Sequence, residues 1–229
     1  MSPWLRWRQS FDRLIGVLLA VVAAPLIAVL SAAVRRGSPG PALIRLDRMG
    51  QDGRPFRMHK LRSMTADEPG GVATGARITG TDDDRITRVG RWLRATHLDE
   101  LPQLVDVVTG DMSLVGPRPE VPELVDLDDS RWRAILAVRP GIGGPTQVAI
   151  AESERRALSS ADPVGAYRNE VLPTKLALDA WYVEHASPRI DLEVLISLAL
   201  RSVAPGVTTP IEKRLKAQGL LSGTDERAP

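Results

Sequence analysis

From Leu14 to Val34 the chain runs through 21 residues without a charge, LIGVLLAVVAAPLIAVLSAAV. At 1.5 Å per residue this makes about 31 Å of helix, the thickness of the hydrocarbon core of a bilayer. Pro25 stands at the middle, where it deletes the hydrogen bond to the Val21 carbonyl and crowds the preceding turn. The preferred reading of residues 1–36 is a re-entrant helix–break–helix that enters and leaves the membrane by one face. A kinked single span and a cleaved signal peptide are the alternatives.

The remaining pattern is that of a soluble domain punctuated by Gly and Pro. Gly37–Pro41 forms a rigid exit, and short strands over Ala42–Arg45 and Pro55–Met58 flank a turn at Gly50–Gly53. Residues 65–84, rich in Gly, Thr and Asp and without periodicity, read as a long mobile loop. Val89, Trp92 and Leu93 then make an apolar stripe opposite Arg88, Arg91 and Arg94, which predicts a helix. A second helix is predicted from Asp99 to Val108, closed by Gly110. A strand over Met112–Val115 and helices over 121–138 and 165–185 follow, with the Gly/Pro loop Arg139–Pro145 between the last two. Pro188–Val203 is apolar over more than one core-facing stripe, so it is either a buried helix or an amphipathic one lying in the membrane interface. The expected fold is α+β and mostly helical: a membrane segment at 1–36, one compact catalytic domain at 37–205, and a partly disordered tail at 206–229.

Charge sharpens the membrane reading. The 229 residues sum to +2, yet residues 1–66 carry an excess of +8, leaving the rest at −6. Arg6, Arg8 and Arg13 precede the apolar run, and Arg35, Arg36, Arg45 and Arg48 follow it. Basic flanks favour the cytoplasmic side, so a simple span would put one cluster on the wrong side. That same rule accounts for the basic N-terminal third without a nucleic-acid partner. There is no Cys and there are only three His, at 59, 97 and 185. Disulfide scaffolds, thiolate metal sites, cysteine nucleophiles and HExxH zinc enzymes are excluded.

The chemistry therefore falls to carboxylates and arginines. Pro102 suits the first turn of a helix, which puts Asp99 and Glu100 at a helix start, where the positive helix end favours their ionised forms. Two adjacent carboxylates attract Mg²⁺, which typically takes one or two carboxylates and completes its shell with substrate phosphates. Arg94 precedes the pair, and Arg118 is fixed between Pro117 and Pro119, so its guanidinium can meet a phosphate at low ordering cost. Such a set describes phosphoryl transfer from a nucleotide conjugate. Neither a P-loop nor a GxGxxG element occurs. Asp82-Asp83-Asp84 reads as a turn and helix cap rather than a DxD metal motif.

The run DDRITRVGRWLRATHLDELPQLVDVVTGDMSLVGPRPE (83–120), with HKLRSM (59–64) before it and VRPGIGGPTQV (138–148) after it, resembles the bacterial sugar transferases known as monotopic phosphoglycosyl transferases. The likeness runs from about Phe11 to Ser202. The resemblance implies transfer of a sugar 1-phosphate from a nucleoside diphosphate sugar, usually a UDP-sugar, to polyprenyl phosphate. It implies Asp99 as nucleophile through a covalent phospho-sugar intermediate, Glu100 as its partner, and Mg²⁺ held by both. Arg94, Arg118, Lys60 and Arg62 would contact phosphate, Arg139 and Gln147 would shape the nucleotide-sugar pocket, and Pro25 would break the membrane helix. The implied setting is the cytoplasmic leaflet of the bacterial plasma membrane, in exopolysaccharide, capsule, O-antigen or glycoprotein glycan assembly. Downstream glycosyltransferases and a second copy of the chain are further partners it suggests. The length matches the catalytic core of such enzymes, without the extra helices of larger members. Ala24-Pro25, Gly143, Pro145-Thr146 and Asp106 depart from the usual pattern, so the donor sugar does not follow from the resemblance. A catalytically silent scaffold on the same fold is the alternative, and an intact Asp99, Glu100, Arg94 and Arg118 oppose it.

Overall fold

The computed structural model describes residues 2–65, 83–204 and 206–221. The long loop expected at 65–84 lies almost wholly outside the described residues. The chain opens with α1 (Pro3–Gly37), whose first turn is capped by the Ser2 hydroxyl accepting from the Trp4 N–H at 3.3 Å. No residue between Pro3 and Gly37 leaves the helix, so the break expected at Pro25 does not divide the segment into two helices. Proline removes one hydrogen bond and bends a helix, while the Ala-, Val- and Leu-rich turns on either side keep theirs.

Both ends of α1 are docked and its middle is bare. Near the start, Leu5 is buried, Trp4 Nε1 donates to Asp191 at 2.7 Å, and Arg8 donates to Tyr182 Oη at 2.6 Å and to Asp191 at 2.7 Å. At the far end Leu30 and Val34 pack with Ala42, Leu61 and Leu93. Between them Leu14, Val21, Val22 and Val29 are each about two-thirds exposed or more.

Strands β1 (Leu43–Met49) and β2 (Pro55–Leu61) form an antiparallel hairpin in which Ile44 faces Lys60 and Leu46 faces Met58. Helix α2 (Arg88–Thr96) is capped by the Thr87 hydroxyl, and α3 (Gln103–Thr109) ends at Gly110 with φ +92°, as the sequence suggests. Strand β3 (Ser113–Val115) is joined through α4 (Ser130–Leu136) to β4 (Gly141–Gly143), and the two short strands pair in parallel. The expected 165–185 helix is three pieces: α7 (Pro163–Ala166), a π-helical turn at Tyr167–Val171, and α8 (Leu172–His185). Pro173 has no N–H for the carbonyl four residues back, and the wider turn just before it absorbs the mismatch.

Helices α5 (Pro145–Ala149) and α6 (Ala151–Leu158) occupy a stretch where the sequence gives no periodic signal. The core lies where α4, α5 and α8 meet α9 (Pro188–Val203) and α10 (Pro210–Ala217), around Trp132, Leu178, Tyr182, Ile211 and Leu215. Helix α10 corrects the reading of 206–229 as a tail. Thr209 and Glu212 form a capping box, Pro210 starts the first turn, and Ile211 and Leu215 are fully buried. In α9, Ile190 and Val194 face this core, while Leu192, Leu195, Ile196 and Val203 remain exposed.

One contact fixes α2, and with it the turn that follows, against the exit of β2. A Cβ on Gly90 would lie 1.8 Å from the Ser63 carbonyl oxygen. Helix propensity alone favours alanine there by about 1 kcal/mol. The contact predicts the opposite sign: Gly90→Ala destabilises the protein by about 2 kcal/mol or more, read by chemical denaturation in detergent.

Candidate active site

Helix α2 ends at His97, which takes the left-handed conformation with φ 55°. A non-glycine residue there turns the chain sharply, and the next three residues, Leu98–Glu100, form a 3-10 turn that leads into α3. The carboxylates predicted at a helix start thus sit in the tight turn just before it, Asp99 1% and Glu100 6% exposed. Buried carboxylates require compensation, and it comes from two other segments. Lys60, near the end of β2, places Nζ 2.9 Å from Asp99 Oδ2 and 3.4 Å from Glu100 Oε1. The Arg118 guanidinium takes Glu100 as a fork, at 2.5 Å to Oε1 and 3.1 Å to Oε2.

Burial alone would raise the Glu100 pKa, but Arg118 first and then Lys60 outweigh it and hold the carboxyl far below the ordinary range. Burial likewise opposes the Arg118 charge, and Glu100 more than restores it. Asp99 Oδ2 has the Lys60 charge beside it but no aligned hydrogen-bond donor. Arg94 lies within electrostatic reach of Asp99, its Nε anchored on Ser63 Oγ at 2.9 Å.

Arg118 is held from behind. Its carbonyl accepts from Lys175 Nζ at 3.2 Å, and the neighbouring Pro117 carbonyl accepts from the Gly141 N–H at 2.9 Å. A Cβ on Gly141 would come within 2.1 Å of the Gly116 nitrogen, so the RPGIGG loop is a backbone buttress for the Pro-Arg-Pro turn. Lys175 also pairs with Asp179 at 3.3 Å and Glu120 at 3.5 Å, and Tyr167 Oη donates to Glu120 at 2.7 Å. Asp179 is pushed up to about 6 by burial, against the pull of Lys175, which must serve two carboxylates. Sequence reasoning passed over Lys175, Asp179, Glu120 and Tyr167. The available signal was a Lys and an Asp four residues apart on one face of an apolar helix, where unpaired charge would be costly.

Other expected site residues have different partners. Arg62 is buried and donates to the Ser38 carbonyl at 2.7 Å and to the Pro39 carbonyl, so it closes the exit from α1 and is not among the residues brought together around Asp99. These carbonyls follow the helix end and have no helical donor. Gln147 Oε1 accepts from the Gly144 N–H at 2.7 Å, a helix-capping contact. Arg139 is set among Arg13, Asp12 and Asp111 at the foot of α1, with burial lowering its pKa. Asp83 binds Arg85 as a turn, its carboxyl drawn down to about 2 by that hydrogen bond, while Asp82 lies outside the described residues.

The bacterial sugar transferase family model matches residues 4–206, nearly the whole chain. The chain belongs to that family. As an enzyme it is a transferase of phosphate-containing groups. The transferase is 39% identical over 206 residues to the UDP-glucose:undecaprenyl-phosphate glucose-1-phosphate transferase of Caulobacter vibrioides, covering 88% of this chain and 70% of that one. It is 33% identical over 210 residues to the undecaprenyl-phosphate glucose phosphotransferase of Komagataeibacter xylinus, covering 89% and 37%. It is also 34% identical over 206 residues to the UDP-N-acetylgalactosamine-undecaprenyl-phosphate N-acetylgalactosaminephosphotransferase of Aeromonas hydrophila, covering 87% and 44%. The transferase thus spans less than half the length of the last two.

The Glu100 environment sets a pH signature. Its depressed pKa contributes stability that is complete above the free carboxyl value of 4.5 and declines as pH falls through the lower folded-state value. Glu100→Gln, which removes one charge of a buried pair but keeps an acceptor, is expected to cost about 3 kcal/mol at neutral pH. The gap to the parent should be flat from pH 7 to about 5.5 and narrow below the free carboxyl value, as measured by urea titrations along a pH series.

Proposed function

We propose that this transferase moves a sugar 1-phosphate from a UDP-sugar to undecaprenyl phosphate, through a covalent intermediate on Asp99, as the first membrane step of surface-glycan assembly. The observation that carries this reading is the pair of buried carboxylates, Asp99 and Glu100, bracketed by Lys60, Arg118 and Arg94. Three cations thus flank the two carboxylates, where a diphosphate would need positive charge. A carboxylate is repelled by an anionic phosphorus, and these cations reduce that repulsion in the ground state and the transition state.

In the proposed first step an Asp99 carboxylate oxygen forms a bond to the β-phosphorus, the bond from that phosphorus to the bridging oxygen breaks, and UMP leaves with that oxygen. In the second, an oxygen of undecaprenyl phosphate attacks the same phosphorus and the Asp99 carboxylate is released. Arg118 and Lys60 hold Glu100 as a fixed anion and turn their remaining donors to phosphate oxygens. Mg²⁺ fits the buried Asp99 Oδ2, which has no aligned donor, better than Glu100, whose oxygens are both on Arg118. Among the described residues no three His, Asp or Glu side chains converge, so substrate phosphates would complete its shell. When bound, the ion supplies charge neutralisation at the diphosphate.

The same docking supports a reading of the topology. The Arg8 end and the Val34 end of α1 both rest on one catalytic domain, which is hard to reconcile with ends on opposite sides of a bilayer. A re-entrant anchor on the cytoplasmic leaflet, bent at Pro25 without leaving the helix and with the exposed Leu192, Leu195 and Ile196 of α9 at the interface, accommodates that geometry.

Purified protein with Mg²⁺ and undecaprenyl phosphate should release UMP from at least one UDP-sugar, and EDTA should stop it. No release from any donor by folded protein would refute the reading. Asp99→Asn should abolish capture of labelled phospho-sugar on the protein, and labelling that persists would place the nucleophile elsewhere. Single cysteines at positions 3 and 38 should both resist an impermeant thiol reagent in intact cells; reaction at one alone would favour a span.

A further inference from the structure

Next to the carboxylate pair lies a cleft of about 150 Å³, lined on one side by Leu46, Met58 and Lys60 of the hairpin and on the other by Glu154 and Leu158 of α6, with Arg118 and Tyr167 also on its walls. Lys60 and Arg118 are thus part of its wall, as are Arg48 and Lys175. Helix α6 is otherwise a solvated helix: Glu152, Arg155 and Arg156 are exposed, and Arg155 pairs with Glu152 at 2.7 Å. Ala157 is buried against the core, and Glu154 and Leu158, four residues apart, line the cleft. The Glu154 side chain accepts no hydrogen bond and makes no ion pair within 4 Å among the described residues. It stands near Arg118 and Lys175 on one side and near Glu120 and Glu100 on the other, and burial pushes its carboxyl pKa up.

We propose that this cleft receives the sugar ring of the donor and that Glu154 reads its hydroxyl groups. The inference rests on the function proposed above. A sugar linked to the β-phosphate must begin within one bond of the phosphate held by Lys60 and Arg118, and the cleft opens from those two residues. A carboxylate beside Glu120 repels further phosphate but accepts hydrogen bonds from two neighbouring hydroxyls. The aliphatic side chains of Leu46 and Leu158 suit the C–H faces of a sugar ring. The relatives differ in the sugar they carry, glucose in one and N-acetylgalactosamine in another, so discrimination must come from residues outside the shared phosphate cradle. Glu154 lies on a helix that no phosphate-binding motif specifies.

Electrostatics provides a control. Removing a negative charge near Arg118 cannot weaken an anion by charge alone, so UDP should bind Glu154→Ala as well as the parent or better. The loss should fall on the sugar. Full-length protein in detergent micelles would be titrated calorimetrically with UDP, UDP-glucose, UDP-galactose and UDP-N-acetylgalactosamine, and UMP release followed for each sugar donor. Glu154→Ala should weaken the preferred UDP-sugar by about 10- to 100-fold, compress the ranking among sugars, and leave UDP within about twofold. Glu154→Gln, of the same shape and with one acceptor kept, should retain part of the preference and guards against loss through misfolding. Equal weakening of UDP and UDP-sugars would assign Glu154 to the nucleotide and overturn the proposal. So would an unchanged ranking in both variants while the parent enzyme is active. A parent that neither binds a UDP-sugar more tightly than UDP nor releases UMP would bring down the transferase reading itself, and with it this one.

Discussion

The structure is organised around the cost of burying two adjacent carboxylates, Asp99 and Glu100. Each carries a desolvation penalty of several kcal/mol, and losing a partner from such a pair typically costs about 3–5 kcal/mol. Glu100 is stable as an anion because Arg118 forks onto it, and Arg118 can do so because Lys175 and the Gly141 N–H hold the Pro-Arg-Pro backbone in place. Lys175 is itself buried and needs Asp179 and Glu120. The chain of compensation therefore runs from the 3-10 turn at Leu98–Glu100 through the β3–β4 loop to the centre of α8. A local demand of the site fixes the packing of the largest part of the core.

The same domain also sets the membrane segment. Arg8, Tyr182, Asp191 and Trp4 make one buried network that seats the start of α1 on α8 and α9. Leu30 and Val34 seat its end beside β2 and α2, the elements that deliver Lys60 and Arg94. Under the proposed function a soluble donor and a lipid-borne acceptor use one set of cations, and this docking would hold that set at a fixed distance from the membrane anchor.

Much of this was legible in the residues. The apolar run, the cap at Gly110, the hairpin and the stripe of α2 all follow from local pattern, and the charged residues around Asp99 from their types. What could not be read was tertiary. Lys60 and Arg62 look equivalent in HKLRSM, yet one reaches Asp99 and the other closes carbonyls left open by the end of α1. Gln147 was set in the pocket by resemblance, while its side chain caps α5. Helix α6 went unrecognised because its sequence, AESERRAL, has almost no apolar stripe; it is placed by Ala157 and Leu158 meeting the core. Helix α10 hid behind a polar composition, although its capping box was visible in TPIE.

Phosphate recognition and sugar recognition are physically different tasks, and under the proposal they fall to different elements. Lys60, Arg94 and Arg118 come from segments pinned by backbone contacts so tight that Gly90 and Gly141 admit no side chain. Under the proposed mechanism that rigidity is required, because one cradle must stabilise two transition states of opposite direction, and each shift of a cation would be felt in both steps. The cleft wall on α6 is less constrained: Glu152, Arg155 and Arg156 beside it are exposed, while Ala157 anchors the helix on the core. A family that keeps its phosphate chemistry and changes its sugar needs that division. Under the proposal, charge neutralisation is built into the buried network, while selectivity rests on a helix that borders it.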